Sequence, residues 1–195
     1  QRMSRFWLAG SLFRQKLHLV AVDYVMDLLR TKANKKPNRL FHRSLRGLFT
    51  IADTIGDESL VIQLLRRVPR MQIALKPDEK PVERLLKPTP RTLRSKWWPW
   101  LRNYVAYMMG RNYFLQGQVR TFKLAHRFLK EVKPNAPHNY YAKALYLRAV
   151  SASWANNRTT AIKHFRKILS LAPPAKPRGD KKNKRFQKRM KDYLQ

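Results

Sequence analysis

Cysteine is missing altogether, which excludes disulfides, thiolate metal sites and cysteine nucleophiles from these 195 residues. Such a chain suits the oxidising conditions of a cell envelope, but it suits other compartments too. Acids are nearly as scarce. Eleven Asp and Glu stand against 43 Lys and Arg, for a formal net charge of +32. No run approaches the roughly 18 consecutive apolar residues that read as a bilayer span. No secretory leader is visible, which leaves export open. The sequence also lacks a glycine-rich phosphate loop and a G-x-S-x-G elbow. No two of His18, His42, His126, His138 and His164 share the i, i+4 spacing of a zinc-binding helix, so each reads as a surface or helix-face residue. From position 84 to 179 there are 20 basic residues and a single acid, Glu131, so a paired-carboxylate mechanism has no second partner there. The expectation is a chain without catalytic residues, metal site or cofactor.

What is present is helical periodicity, with an ordinary apolar fraction of 44%. Four helix pairs are expected. Phe6, Ala9, Gly10 and Phe13, then Val22, Val25, Met26 and Leu29, mark the first, near residues 3–31. Leu40, Leu45, Leu48 and Ile51 precede a break at Gly56 in the second, near 38–68. Asp57 there is placed to cap a helix carrying Leu60, Val61, Leu64 and Leu65. Residues 69–96 contain five prolines and read as an irregular connector with one short helix near 82–86. In the third pair Leu101, Tyr104, Val105, Met108 and Met109 form one face. Beyond Gly117, Phe122, Ala125, Leu129 and Val132 form another, ending at Pro134. Tyr141, Ala144, Leu145, Ala149 and Ala152, an Asn156-Asn157 turn, and Ala161, Ile162, Phe165, Ile168 and Leu169 make the fourth. The expected organisation is an N-terminal region at 1–68, a proline-rich connector at 69–96, a repeat pair at 97–174 and a basic tail at 175–195.

The third and fourth pairs resemble tetratricopeptide repeats. Gly110, Tyr113, Gly117 and Pro134 sit at matching intervals, as do Ala149, Asn156, Ala161, Phe165 and Pro173. Phe122 departs from the pattern, standing where the next unit has the small Ala161, and Arg148 stands where a leucine is usual. The resemblance implies an all-α fold of helix-turn-helix units stacked as a short right-handed solenoid. It also implies a scaffold that binds proteins. The run from Leu48 to Leu60, LFTIADTIGDESL, is similar to a segment of large repeat proteins of bacterial cell envelopes. That likeness implies an assembly role in the periplasm or envelope.

The charge is organised. Arg120, Lys123, Arg127 and Lys130 are spaced 3, 4 and 3, which at ~100° per residue places them on one helical stripe. That stripe is expected to face away from Phe122, Ala125 and Leu129. Lys163, Arg166 and Lys167 repeat the pattern one pair later, and the tail adds Lys181, Lys182, Lys184, Arg185, Lys188 and Arg189. Such a surface draws polyanions. An acidic protein partner is the first expectation, nucleic acid in a ribonucleoprotein the second, and an anionic membrane the third. Trp97, Trp98 and Trp100 follow Arg94 and Lys96, and are expected to serve packing before binding.

Overall fold

A computed structural model describes residues 2–31, 38–72, 80–134 and 140–171. Every regular element among these residues is helical. In order they are α1 (Arg2–Arg14), α2 (His18–Arg30), α3 (Arg39–Ile55), α4 (Glu58–Arg66), a 3₁₀ turn (Pro69–Gln72), α5 (Pro81–Leu86), α6 (Pro90–Leu93), α7 (Trp98–Phe114), α8 (Val119–Lys130), α9 (Tyr140–Trp154) and α10 (Arg158–Leu171). No helix among them is long and apolar enough to cross a membrane.

One local solution recurs at the turns. Lys16, Gly56, Gly117 and Asn156 each adopt a left-handed backbone, with φ of 63°, 78°, 68° and 56°. Each lies two residues before the next helix begins. Gly56 and Gly117 reach this region without a Cβ penalty, and Asn156 is a residue type that tolerates it. The residue between turn and helix then caps the helix in three of the four cases. Asp57 accepts from the amides of Ser59 (2.8 Å) and Leu60 (3.0 Å). Gln118 and Thr121 form a reciprocal capping box. Asn157 accepts from the Thr160 amide at 3.1 Å. Leu17 provides no side-chain cap, and that turn is closed by backbone bonds, from the Lys16 amide to the Phe13 carbonyl (3.0 Å) and from the Leu17 amide to the Leu12 carbonyl (3.0 Å). The expected breaks at Gly56, Gly117 and Asn156 are therefore real turns with a stated chemistry.

The chain forms two compact units, residues 1–109 and 110–195, and the division falls inside α7. In the first unit α2 buries Val22, Val25, Met26 and Leu29, and α3 buries Phe41, Leu45, Leu48, Phe49 and Ala52, all at helical spacing. The three tryptophans join this packing. Trp98 is buried, and Trp97 and Trp98 both approach the His42 ring at 6.2 Å. Trp100 leans on Phe49, which stacks on Tyr104 at 4.4 Å. Tyr104 donates its hydroxyl to Asp53, and Tyr107 donates to Glu58 at 3.2 Å. The stretch expected to be an irregular connector belongs to this unit. Val82, Leu85 and Leu86 of α5 are core residues. Pro81 and Pro90 open α5 and α6 at the first turn, where proline's missing amide costs nothing.

The second unit is built on α8, α9 and α10, with the end of α7. Leu145, Ala149, Ala161, Phe165 and Ile168 form one buried cluster between α9 and α10. Ala125, Phe128 and Leu129 form the inner face of α8, where Phe128 stacks on Tyr113 at 5.6 Å. Gly110 is needed at the approach of α7 to α8. A Cβ there would lie 2.5 Å from Leu129 Cγ and 3.3 Å from the Ala125 carbonyl oxygen. Helix α7 has no single apolar face, unlike the expectation of one. Asn103 and Ala106 are as buried as Leu101 and Val105. The expected tail structure at 175–195 lies outside the described residues.

Candidate binding surfaces

The first unit carries a groove of about 280 Å³ between α1 and α3, with Val25 of α2 at its base. Phe6, Trp7 and Phe13 supply one apolar wall, and Ile51 lies opposite. Gly10 and Gly47 lie in the groove's lining and leave room beside them. A Cβ on Gly10 would meet nothing within 4 Å, and one on Gly47 only Val25 at 3.9 Å. Arg43 and Arg46 bring two guanidinium groups to the lining. Trp7 is 62% exposed, a large apolar ring presented to solvent at this site. An apolar trough flanked by fixed positive charge can take a segment that is apolar on one side and acidic beside it. Sequence reasoning placed Phe6, Gly10 and Phe13 on a buried face and missed the groove. It forms only where α1 and α3 come together, and no local spacing encodes that.

The basic stripe of α8 is where its spacing places it. Arg120, Lys123 and Lys130 are exposed, Arg127 is half-buried, and Ala125 and Leu129 lie inward. Arg120 donates through Nε to Gln118 at 3.0 Å. Lys163, Arg166 and Lys167 are exposed on α10, with Lys167 over the Tyr141 ring at 5.5 Å. Phe122 departs from the expectation. It is half-buried and lines a cleft of about 420 Å³ together with Lys123, Arg127 and Trp154, so the stripe runs beside this ring and not opposite it. Lys181, Lys182, Lys184, Arg185, Lys188 and Arg189 lie outside the described residues.

The histidines are less superficial than their spacing implied. His42 is 1% exposed and His164 8%. Nε2 of His42 lies 2.7 Å from the Leu86 carbonyl, while its buried Nδ1 has no partner. The ring is thus an Nε2–H tautomer, held neutral by burial and by the Arg70 charge against the opposing pull of that carbonyl. Arg70, itself buried, donates Nε to the Leu85 carbonyl at 2.5 Å and Nη2 to that of Arg84 at 3.5 Å. In the second unit His126 and His164 sit among cations. Burial, then Arg148 and Lys130, lowers His126. Burial, then Arg148, His126, Lys163 and Lys167, lowers His164 to about 4. His138 lies outside the described residues. Among the described residues no three His, Asp or Glu side chains gather to hold a metal ion.

This arrangement has a pH signature. An unfolded histidine titrates near 6.5. As pH falls from there, the unfolded chain takes up protons that folded His164 refuses until about pH 4. Stability from this residue is therefore complete above about 6.5, declines between about 6.5 and 4, and flattens below. Urea midpoints should fall between pH 7 and pH 5, and His164→Leu should make that fall shallower. Added salt should shrink it too, by screening Lys163 and Lys167. A pH dependence unchanged by His164→Leu would show that the imidazole is not buried among these cations.

No family model, curated protein or solved structure matches this chain.

Proposed function

We propose that this protein is a non-catalytic scaffold of tetratricopeptide-like hairpins that binds acidic protein segments. The observation that carries this reading is the α1–α3 groove. It opens between the first helices of two neighbouring hairpins, and it combines an apolar floor with Arg43 and Arg46. The recurring turn supports a repeat architecture. Gly56 follows Lys16 by 40 residues, and Asn156 follows Gly117 by 39. A stacked array built on that period leaves a groove between adjacent hairpins. The excess of 43 basic over 11 acidic residues sets the sign of the partner. The likeness of the run from Leu48 to Leu60 to envelope repeat proteins supports an assembly role in the cell envelope. In this reading the exposed cations of α8 and α10 provide long-range attraction, and the groove provides contact.

Gly10→Leu separates binding from folding. The added side chain enters open space in the groove, so no packing is lost. Replacing a mid-helix glycine should stabilise α1 by about 0.5–1 kcal/mol. A photo-crosslinking residue at Trp7 should trap one discrete protein in cells, and Gly10→Leu should abolish that product while raising the urea midpoint. Crosslinking to nucleic acid alone, or a product that survives groove filling, would sink the proposal.

A further inference from the structure

We infer that the cleft on the second unit binds single-stranded nucleic acid, with a base stacked on Trp154 and flanking phosphates held by Lys123 and Arg127. This site goes beyond the protein-binding groove and lies on different residues.

Trp154 is the last residue of α9, and 60% of it is exposed. Its plane is nevertheless fixed. Phe114 lies parallel to it at 5.2 Å and 14°, and Phe122 leans on it at 5.3 Å and 54°. An indole braced by two rings and left open to water is a preformed stacking surface, and every base has a π-face to offer it. The cations share the cleft. Lys123 and Arg127 line it beside Phe122, one turn apart on α8, and His126 lies between them. Arg120 and Lys130 extend the same stripe in both directions. Residues 110–171 hold twelve Lys and Arg against one acid, Glu131, so the charge is far from neutralised within the unit. Ser151, Asn157 and Thr160 complete the lining with small polar groups.

The pairing of π-surface and cations selects the ligand. An acidic peptide offers charge without requiring a rigid exposed ring. A duplex offers phosphates but hides its base faces. A single strand offers both within one nucleotide.

The test is fluorescence anisotropy of the full chain with a labelled single-stranded RNA 20-mer of mixed sequence, across a salt series around 0.15 M. The same RNA in a duplex and poly-glutamate serve as competitors. The single strand should bind, with the duplex and poly-glutamate competing at least tenfold less well. Trp154→Ala should weaken binding about tenfold without changing the salt slope, because stacking releases no counterions. Lys123→Gln and Arg127→Gln should each lower that slope by about one. Trp154→Phe should keep most of the affinity. Ala155→Glu should lose it at an exposed lining position that disturbs no core residue. The inference is overturned if the single strand does not bind, or if Trp154→Ala or Ala155→Glu binds as the wild type does. It is overturned also if poly-glutamate competes equally, which would assign the cleft to acidic protein, or if the duplex does, which would reduce it to phosphate attraction.

Discussion

Gly110→Val should destabilise the second unit by about 3 kcal/mol, and a second substitution, Leu129→Ala, should then add less than it costs on its own. The first effect is steric. The new Cβ falls 2.5 Å from Leu129 Cγ and 2.6 Å from its Cδ2, and 3.3 Å from the backbone oxygen of Ala125. The leucine cannot simply turn away, since it is 1% exposed. Overpacking of this kind costs about 1–3 kcal/mol, and the valine's two γ-methyls place it at the upper end. Helix propensity acts the other way, by under ~1 kcal/mol for glycine to valine, and does not decide the outcome. Leu129→Ala alone should cost about 2–5 kcal/mol as a cavity. Together the two should cost less than their sum, because the cavity accepts the valine. Urea denaturation of the four proteins checks this. Strict additivity would mean that α7 and α8 do not meet at Gly110.

Arg70→Met should cost the first unit about 2–4 kcal/mol. At the end of the six-residue α5 the Lys87 amide closes on the Glu83 carbonyl, and the carbonyls of Arg84, Leu85 and Leu86 lie beyond that last bond. Arg70 donates to those of Leu85 and Arg84, and His42 donates to that of Leu86. A bond from a charged donor contributes about 1.5–3 kcal/mol, and removing it leaves a buried acceptor unsatisfied. Methionine keeps much of the volume and none of the donors. Burial, and then Arg84, already lowers the Arg70 pKa, so the side chain is held in place against a desolvation cost. Arg70→Lys should rescue only partly, because one ammonium lacks the planar fork that spans two carbonyls. A loss below about 0.5 kcal/mol, the range of ordinary surface substitutions, would show that water satisfies these carbonyls in place of the arginine.

The legibility of this chain divides along the same line as these two predictions. Asp57, Asn157 and Gly117 announce their turns because cap and left-handed chemistry is local. Ala149, Ala161 and Phe165 announce a buried face because period and burial coincide in α9 and α10. The clustering of the three tryptophans with the core was legible from their size and proximity to the α7 pattern. Arg70 was not, since an arginine among prolines carries no mark of the two carbonyls it will meet. Pro81 and Pro90 were read as breaks because proline opens a helix as readily as it ends one. Trp98 and Trp154 are the same residue type, one 6% and the other 60% exposed.

The sequence by itself determined the helical class, the turns and the sign of the electrostatic field, because each follows from local periodicity, local backbone preference or a count of charges. Only the tertiary structure decided that Gly10 and Gly47 line a groove, that Gly110 closes a contact, and that Trp154 stands braced beside Lys123 and Arg127. Periodicity tells which face of a helix is apolar, but the neighbour that covers that face, or leaves it uncovered, is set by contacts between residues far apart in the chain.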